Sequence, residues 1–207
     1  MLDPIRILAV DDHPLFRSGI ASLLAQDPQM RLIDEASRGR EAIEKYRVGQ
    51  PDITLLDSQL PDMDGIDVIV AIRREFPVAR LIVLSTHGGD IYAQRALEAG
   101  ARAYMLKDCS PGDVLETIRA VHAGEKRVQP EIAEQLALHS TDPVLTRREV
   151  QVMELLAGGS SNREIAMGLA IEEETAKGHV KNLLGKLGAR DRTQAVLTAI
   201  KRGFIQL

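Results

Sequence analysis

Ile53-Thr54-Leu55-Leu56 is a run of β-forming residues that follows the breaker Gln50-Pro51 and ends on an acid, Asp57. A few residues on, Pro61-Asp62-Met63-Asp64-Gly65 reads as a loop. An acid at the carboxyl end of a buried parallel strand points into the crevice where open α/β sheets bind their ligands. Taken alone, Asp57 fits equally well a residue that caps its strand by bonding loop amides. The other apolar runs separate the two readings.

Ile5 to Val10 runs straight into Asp11-Asp12, and Arg31 to Ala36 predicts a second strand. Arg80 to Ser85 and Ala103 to Lys107 predict a fourth and a fifth. Helical patterns lie between them: from His13-Pro14, with Leu15, Ile20, Leu23 and Leu24 as core positions, then Glu41 to Val48, Gly65 to Phe76, Ile91 to Ala99, and from Ser110-Pro111. Five strands alternating with five helices over about 120 residues predict a five-stranded, doubly wound parallel sheet of flavodoxin-like α/β class. Its strands finish on one edge, which gathers Asp11, Asp12, Asp57, Ser85 and Lys107 around one crevice. Three carboxylates in a low-dielectric site repel one another, and a divalent cation relieves that cost. Mg²⁺ suits an all-oxygen site that leaves positions for water or phosphate. Lys107 offers a point charge to an incoming anion and Ser85 a hydroxyl donor.

This set allows phosphoryl transfer onto the Asp57 carboxylate, with metal and Lys107 neutralising charge on the phosphoryl oxygens. No Gly-rich phosphate loop of the GxxxxGK[ST] type is present, so the phosphoryl group comes from another protein or a small donor.

Composition narrows the class. The 207 residues suffice for two small domains, and the short apolar runs predict no membrane span. A single cysteine, Cys109, excludes an internal disulfide framework and fits the cytoplasm. Three Phe, three Tyr and no Trp argue against an aromatic platform for single strands. Residues 1–124 carry 14 basic and 19 acidic side chains, residues 125–143 carry 2 and 4, and residues 144–207 carry 10 and 7. The net charge of −4 therefore hides balances of −5, −2 and +3, as expected for two domains with different partners.

Asp11-Asp12, Asp57 with Leu60-Pro61-Asp62-Met63-Asp64-Gly65, Ser85, and Ala103-Tyr104-Met105-Leu106-Lys107-Asp108 together resemble a bacterial response-regulator receiver. The resemblance implies that Asp57 is the phosphoacceptor and that a sensor histidine kinase is the donor. It implies Mg²⁺ held by Asp11, Asp12, Asp57 and the carbonyl of Gln59. It also implies that Ser85 and Tyr104 move together on phosphorylation. Lys107-Asp108, in place of a Lys-Pro pair, is similar to the NarL-like branch. His13 and His87 read as a helix-start and a loop residue, and Cys109 as an ordinary thiol.

Residues 125–143 read as a partly flexible tether holding one short helix, Glu131 to Leu138. Three capping boxes follow, Thr146-Arg147-Arg148-Glu149, Ser161-Asn162-Arg163-Glu164 and Asp191-Arg192-Thr193-Gln194. Between the second and third, Ala176, Val180, Leu183, Leu184 and Leu187 form one apolar stripe on a helix from Glu173 to Leu187. A three-residue turn, 170–172, joins it to the preceding helix, giving a helix-turn-helix with Lys177, Gly178, Lys181, Asn182 and Lys186 largely off the stripe. A solvated face would carry the same lysines, and +3 is a weak electrostatic footprint.

Leu145-Thr146-Arg147-Arg148-Glu149, Ser161 to Ala166, Thr175 to Val180 and Lys186-Leu187 resemble the LuxR/NarL-type DNA-binding domain. That likeness implies major-groove contact by Lys177, Gly178 and Lys181, and a dimer contact through the final helix, 192–202. Glu172, Ala176 and Gly178 depart from the family's usual Ser or Thr, Val, and larger side chain. Acids in the run Glu172-Glu173-Glu174 suit a helix N-terminus but approach phosphates.

The expected protein is a NarL/FixJ-class two-component regulator, not an enzyme, with promoter duplex, RNA polymerase and a second copy of itself as partners. Its domains are a receiver over 1–124, a linker over 125–143 and a helix-turn-helix domain over 144–207. Two rivals share these residues. A phosphatase or phosphotransferase working through an aspartyl phosphate leaves 144–207 without a role. A DNA-binding regulator switched by protein contacts alone leaves the acidic pocket without one.

Overall fold

The computed structural model describes residues 3–86 and 88–205. They form two compact units, one from residues 3–86 and 93–133, the other from 88–92 and 134–205.

In the first unit the strands are β1 (Ile5–Val10), β2 (Met30–Ala36), β3 (Ile53–Asp57), β4 (Leu81–Ser85), β5 (Ala103–Leu106) and β6 (Arg127–Val128). They pair in parallel in the order β2-β1-β3-β4-β5-β6. Helices α1 (Pro14–Ala25), α2 (Gly39–Gly49), α3 (Gly65–Glu75), α4 (Asp90–Ala99) and α5 (Pro111–His122) connect the first five strands and follow the fifth. The order reverses between β1 and β3, so the crevice of an open α/β sheet opens where Asp11 and Asp57 end their strands. Every residue of β3 and β4 is buried, as strands covered by helices on both faces require.

The sheet has six strands, not the five that periodicity predicts. β6 is two residues long and begins with Arg127, too short and too polar to show alternation. The open edge of β5 creates it: Gln129 N–H donates to Tyr104 O at 3.3 Å, and Gln129 Oε1 accepts from Leu106 N–H at 2.7 Å. The start of the expected tether is thus sheet. The short helix expected beyond it is α6 (Pro130–Leu138).

Leu15 is a second correction. It is 89% exposed, whereas Ile20 and Leu24 are buried and Phe16 and Leu23 pack beside them. With α1 starting at Pro14, positions 16, 20, 23 and 24 share a face and Leu15 lies off it.

The second unit is helical: α7 (Arg147–Ala157), α8 (Asn162–Leu169), α9 (Glu173–Lys186) and α10 (Arg192–Arg202). Val152, Met153, Leu156, Ile165, Ala176, Leu183, Ala195 and Ala199 form its core. Two of the three expected capping boxes close reciprocally, at Thr146/Glu149 and Ser161/Glu164. The third closes by half. Asp191 accepts from Gln194 N–H at 2.8 Å, but the Gln194 side chain turns back to Arg190 N–H, also at 2.8 Å. Among the described residues no helix is long and apolar enough to cross a membrane.

Thr54 is fully buried in β3, and its hydroxyl has no hydrogen-bond partner among the described residues. An unsatisfied buried hydroxyl costs about 1 kcal/mol or more. Thr54→Val is therefore expected to raise the urea midpoint of the first unit, with an unchanged denaturant slope.

Candidate functional site

Registers set the site. Val10 pairs with Leu56, Asp57 with Leu84 and Ser85 with Leu106, so the residues at the strand ends sit at one level. Asp11 and Asp57 are both buried, and Lys107 Nζ lies 2.7 Å from Oδ2 of each. Its contact with Asp57 is a hydrogen bond, whereas that with Asp11 is an ion pair without hydrogen-bond alignment. The Phe16 ring lies 4.8 Å from the ammonium. Asp57 Oδ1 accepts from Gln59 N–H at 3.2 Å and faces Ser58 Oγ at 3.5 Å.

Burial pushes the Asp57 carboxyl above its ordinary pKa and the nearby Asp11 charge adds to this, against the opposing pull of Lys107. Burial works against the Lys107 ammonium, but its two carboxylate partners outweigh that and raise its pKa.

Ligand atoms of Asp11, Asp12, His13 and Asp57 all lie within 4.8 Å of one another. Three carboxylates against one ammonium leave two negative charges, and Asp11 Oδ2 is a buried oxygen lacking a hydrogen-bond donor among the described residues. This donor set fits a hard divalent cation such as Mg²⁺. The exposed His13 ring stands 2.7 Å from Asp12, closer to the acids than a plain helix-start residue needs to be.

Ser58 Oγ donates to Ser85 Oγ at 3.1 Å, and Ser85 in turn hydrogen-bonds the Tyr104 hydroxyl. Tyr104 is fully buried, and burial pushes its phenol up to about 12. Burial also raises the Cys109 thiol, with Asp113 and Asp108 adding to it. His87 lies outside the described residues.

On α9 the candidate side chains divide. Lys177, Gly178, Lys181 and Asn182 are exposed, and a Cβ at Gly178 would meet only open space. Lys177 is held by Glu174 at 3.3 Å and Glu173 at 3.8 Å. Lys186 is half-buried and donates to the buried Glu149 at 2.8 Å, fastening the end of α9 to the capping box of α7.

Residues 7–119 match the response regulator receiver domain, and residues 143–199 match the bacterial regulatory proteins of the luxR family. The chain belongs to the response regulators. It is 39% identical to the uncharacterized transcriptional regulatory protein YhcZ of Bacillus subtilis, over 95% of this chain and 96% of that one. It is 36% identical to the response regulator VraR of Staphylococcus aureus, over 98% and 99%. The crystal structure of the response regulator ChrA, from a heme-sensing two-component system, aligns at TM-score 0.59 with 31% identity, over 99% of this chain and all of that one. RcsB in its DNA-bound dimers shares the fold, with TM-score 0.71 at 24% identity over 96% and 99%. The family comprises transcriptional regulators of two-component systems and not enzymes.

Three residues of this response regulator's crevice escape a reading by motif. Ser58 lies between Asp57 and Ser85, and the only sequence trace is a small polar residue continuing a buried run. Arg17 donates to Asp11 O at 2.6 Å and to Glu35 at 3.2 Å, fixing the turn that carries the acid pair. Phe16 covers Lys107. Both come from α1, one turn past the acids, where their spacing reads simply as helix.

A carboxyl whose folded pKa is raised stabilises the fold below its ordinary pKa and loses that contribution as pH rises through the raised value. Ionised Asp57 thus costs stability in the metal-free protein at neutral pH. Metal-free Asp57→Asn is expected to melt above wild type at pH 7, with the gap narrowing toward pH 4. Mg²⁺ is expected to raise the wild-type midpoint more than the variant's, the wild type gaining about 2.7 kcal/mol of stability at a hundred times its Kd. Differential scanning fluorimetry across pH and metal reads both effects.

Proposed function

We propose that this response regulator accepts a phosphoryl group on Asp57 from a sensor histidine kinase and then binds promoter DNA as a dimer. The observation that carries this reading is the Asp57 carboxylate itself. It is buried at the sheet's switch point, held on one oxygen by Lys107 and on the other by Gln59 N–H. An oxygen of Asp57 attacks phosphorus, a P–O bond forms, and the P–N bond to the kinase histidine breaks. Lys107 moves from pairing with the free carboxylate to neutralising a phosphoryl oxygen. Asp11, Asp12, Asp57 and the Gln59 carbonyl would hold Mg²⁺ in this reading, and the ion would supply positive charge to the phosphoryl oxygens. Its support is the net negative charge of the crevice and the closeness of its carboxylates.

The phosphoryl group adds about −1.5 to −2 of charge. Ser85 follows Ser58 in the chain of hydroxyls that leads from Asp57, and its turning toward the phosphoryl group alters its bonds to Ser58 and Tyr104. Tyr104 is the larger body that answers. We assign the receiver to residues 1–124, the linker to 125–143 and the DNA-binding domain to 144–207. Lys177, Gly178, Lys181 and Asn182 face the major groove in this reading, with RNA polymerase as a further partner at the promoter and the cytoplasm as the place of work. Lys186 sits with them by sequence, while its bond to Glu149 suits it to holding α9.

An exposed apolar groove between α1 and α5 runs beside Lys107, lined by Leu15, Gly19, Leu23, Cys109 and Pro111. We assign it the docking of the phosphodonor kinase.

With a small phosphodonor and Mg²⁺, wild type is expected to be labelled, to dimerise and to gain affinity for duplex DNA, and Asp57→Asn to do none of these. Labelling without change in assembly or affinity would refute the phospho-switch. Leu15→Glu is expected to slow transfer from a histidine kinase by about tenfold or more, the scale of a lost interface anchor. Its labelling by the small donor should stay at the wild-type rate.

A further inference from the structure

We infer that Glu174 is a specificity-determining residue for DNA and that, with Lys177, it reads a C·G base pair in the major groove. The inference rests on the DNA-binding reading above. Positions 174, 177, 178 and 181 of α9 recur at i, i+3, i+4 and i+7, so their side chains share one face. The buried Ala176 and Leu183 define the opposite face. Glu174 therefore stands among the lysines on the outward face, and not to the side where it would meet only phosphates. Its side chain is 84% exposed, and Lys177 Nζ lies 3.3 Å from its carboxylate. It also lies in the first turn of α9, the part of a helix-turn-helix recognition helix that reaches base edges.

A carboxylate has only acceptors and an ammonium only donors. Side by side, they suit a C·G pair, for which Glu on cytosine and Lys on guanine are the usual pairings. Cytosine presents its N4 amino group as donor, and the guanine paired with it presents O6 and N7 as acceptors. Gly178 lies next to both on the same face, and nothing would crowd even a Cβ there, so no side chain holds the backbone away from the bases. The ion pair between Glu174 and Lys177 also orients each group before DNA arrives. The acidic first turn thus selects a base pair as well as opposing phosphates.

The test is selection from a randomised duplex pool by the full-length, phosphorylated protein at fixed salt, comparing wild type with Glu174→Gln and Glu174→Ala. Wild type is expected to fix a C·G pair in each half-site. Glutamine pairs with adenine N6 and N7, so Glu174→Gln is expected to replace that pair by A·T. Glu174→Ala is expected to leave the position unselected, with about a fivefold or greater loss of discrimination there and the other positions retained. An unchanged consensus in both variants, with affinity rising equally for all duplexes, would overturn the inference while leaving the DNA-binding reading intact. No enriched sequence for wild type would overturn both. Because the side chain is exposed, both variants are expected to melt with wild type, which circular dichroism checks.

Discussion

The ammonium of Lys107, shared between two buried carboxylates, is the interaction on which the first unit's site depends. Asp11 and Asp57 come from strands on either side of the point where strand order reverses, and only parallel pairing in register brings them to one level. Two such groups in a low-dielectric crevice would favour neutralisation of one of them. A single cation 2.7 Å from both offsets part of their repulsion, while leaving the crevice short of positive charge. That shortfall makes the site receptive: the fold satisfies the carboxylates enough to form, but not enough to do without further cations. Removing Lys107 would leave buried charge uncompensated, which costs more than an intact pair contributes.

The acids of the following loop do different work, though the sequence places them in one run with Asp57. Asp62 accepts from Gly39 N–H at 2.7 Å and Arg40 N–H at 3.1 Å, closing the start of α2. Asp64 accepts from Ile66 N–H at 2.8 Å and caps α3. Each carboxylate sits where a helix dipole favours negative charge. Directly after Asp64 comes Gly65, where a Cβ would lie 2.6 Å from the Asp57 carbonyl oxygen. The loop therefore turns back against its own strand while its two carboxylates bond backbone amides of α2 and α3, and the Asp57 oxygens face Lys107 and Gln59 N–H.

The sequence was most legible where local chemistry and global fold agree. The alternation of strands and helices, the strand-end residues and the two closed capping boxes follow from periodicity and from side chains with one dominant role. Legibility failed where a neighbour decides the outcome. β6 exists because the edge of β5 offers unpaired groups, and nothing within Arg127-Val128 announces it. Leu15 has the composition of a core residue, and only the starting phase of α1 turns it outward. Asp191 and Gln194 satisfy the capping pattern, yet the Gln194 side chain takes the amide one residue earlier, a choice between adjacent donors that no spacing rule makes. The roles of Ser58, Arg17 and Phe16 were invisible for the same reason, since each acts through a contact made by another element.

Charge on the second unit shows how far a count of basic residues can mislead. The ten over residues 144–207 include Lys186, whose ammonium is held by Glu149, and Lys177, whose ammonium is drawn toward Glu173 and Glu174. Arg148 and Arg192 keep their charge but are tied down, each donating at 2.7 Å to a backbone carbonyl, of Leu169 and Ser160. The field that such a surface offers phosphates is therefore smaller than its count of basic residues suggests. Non-specific affinity for DNA follows the number of phosphates neutralised. A surface that restrains its cations in this way gives up general attraction and must draw more of its binding from base edges and from the shape of α9. In the reading proposed above, the same residues that weaken the electrostatic footprint are those that distinguish base pairs.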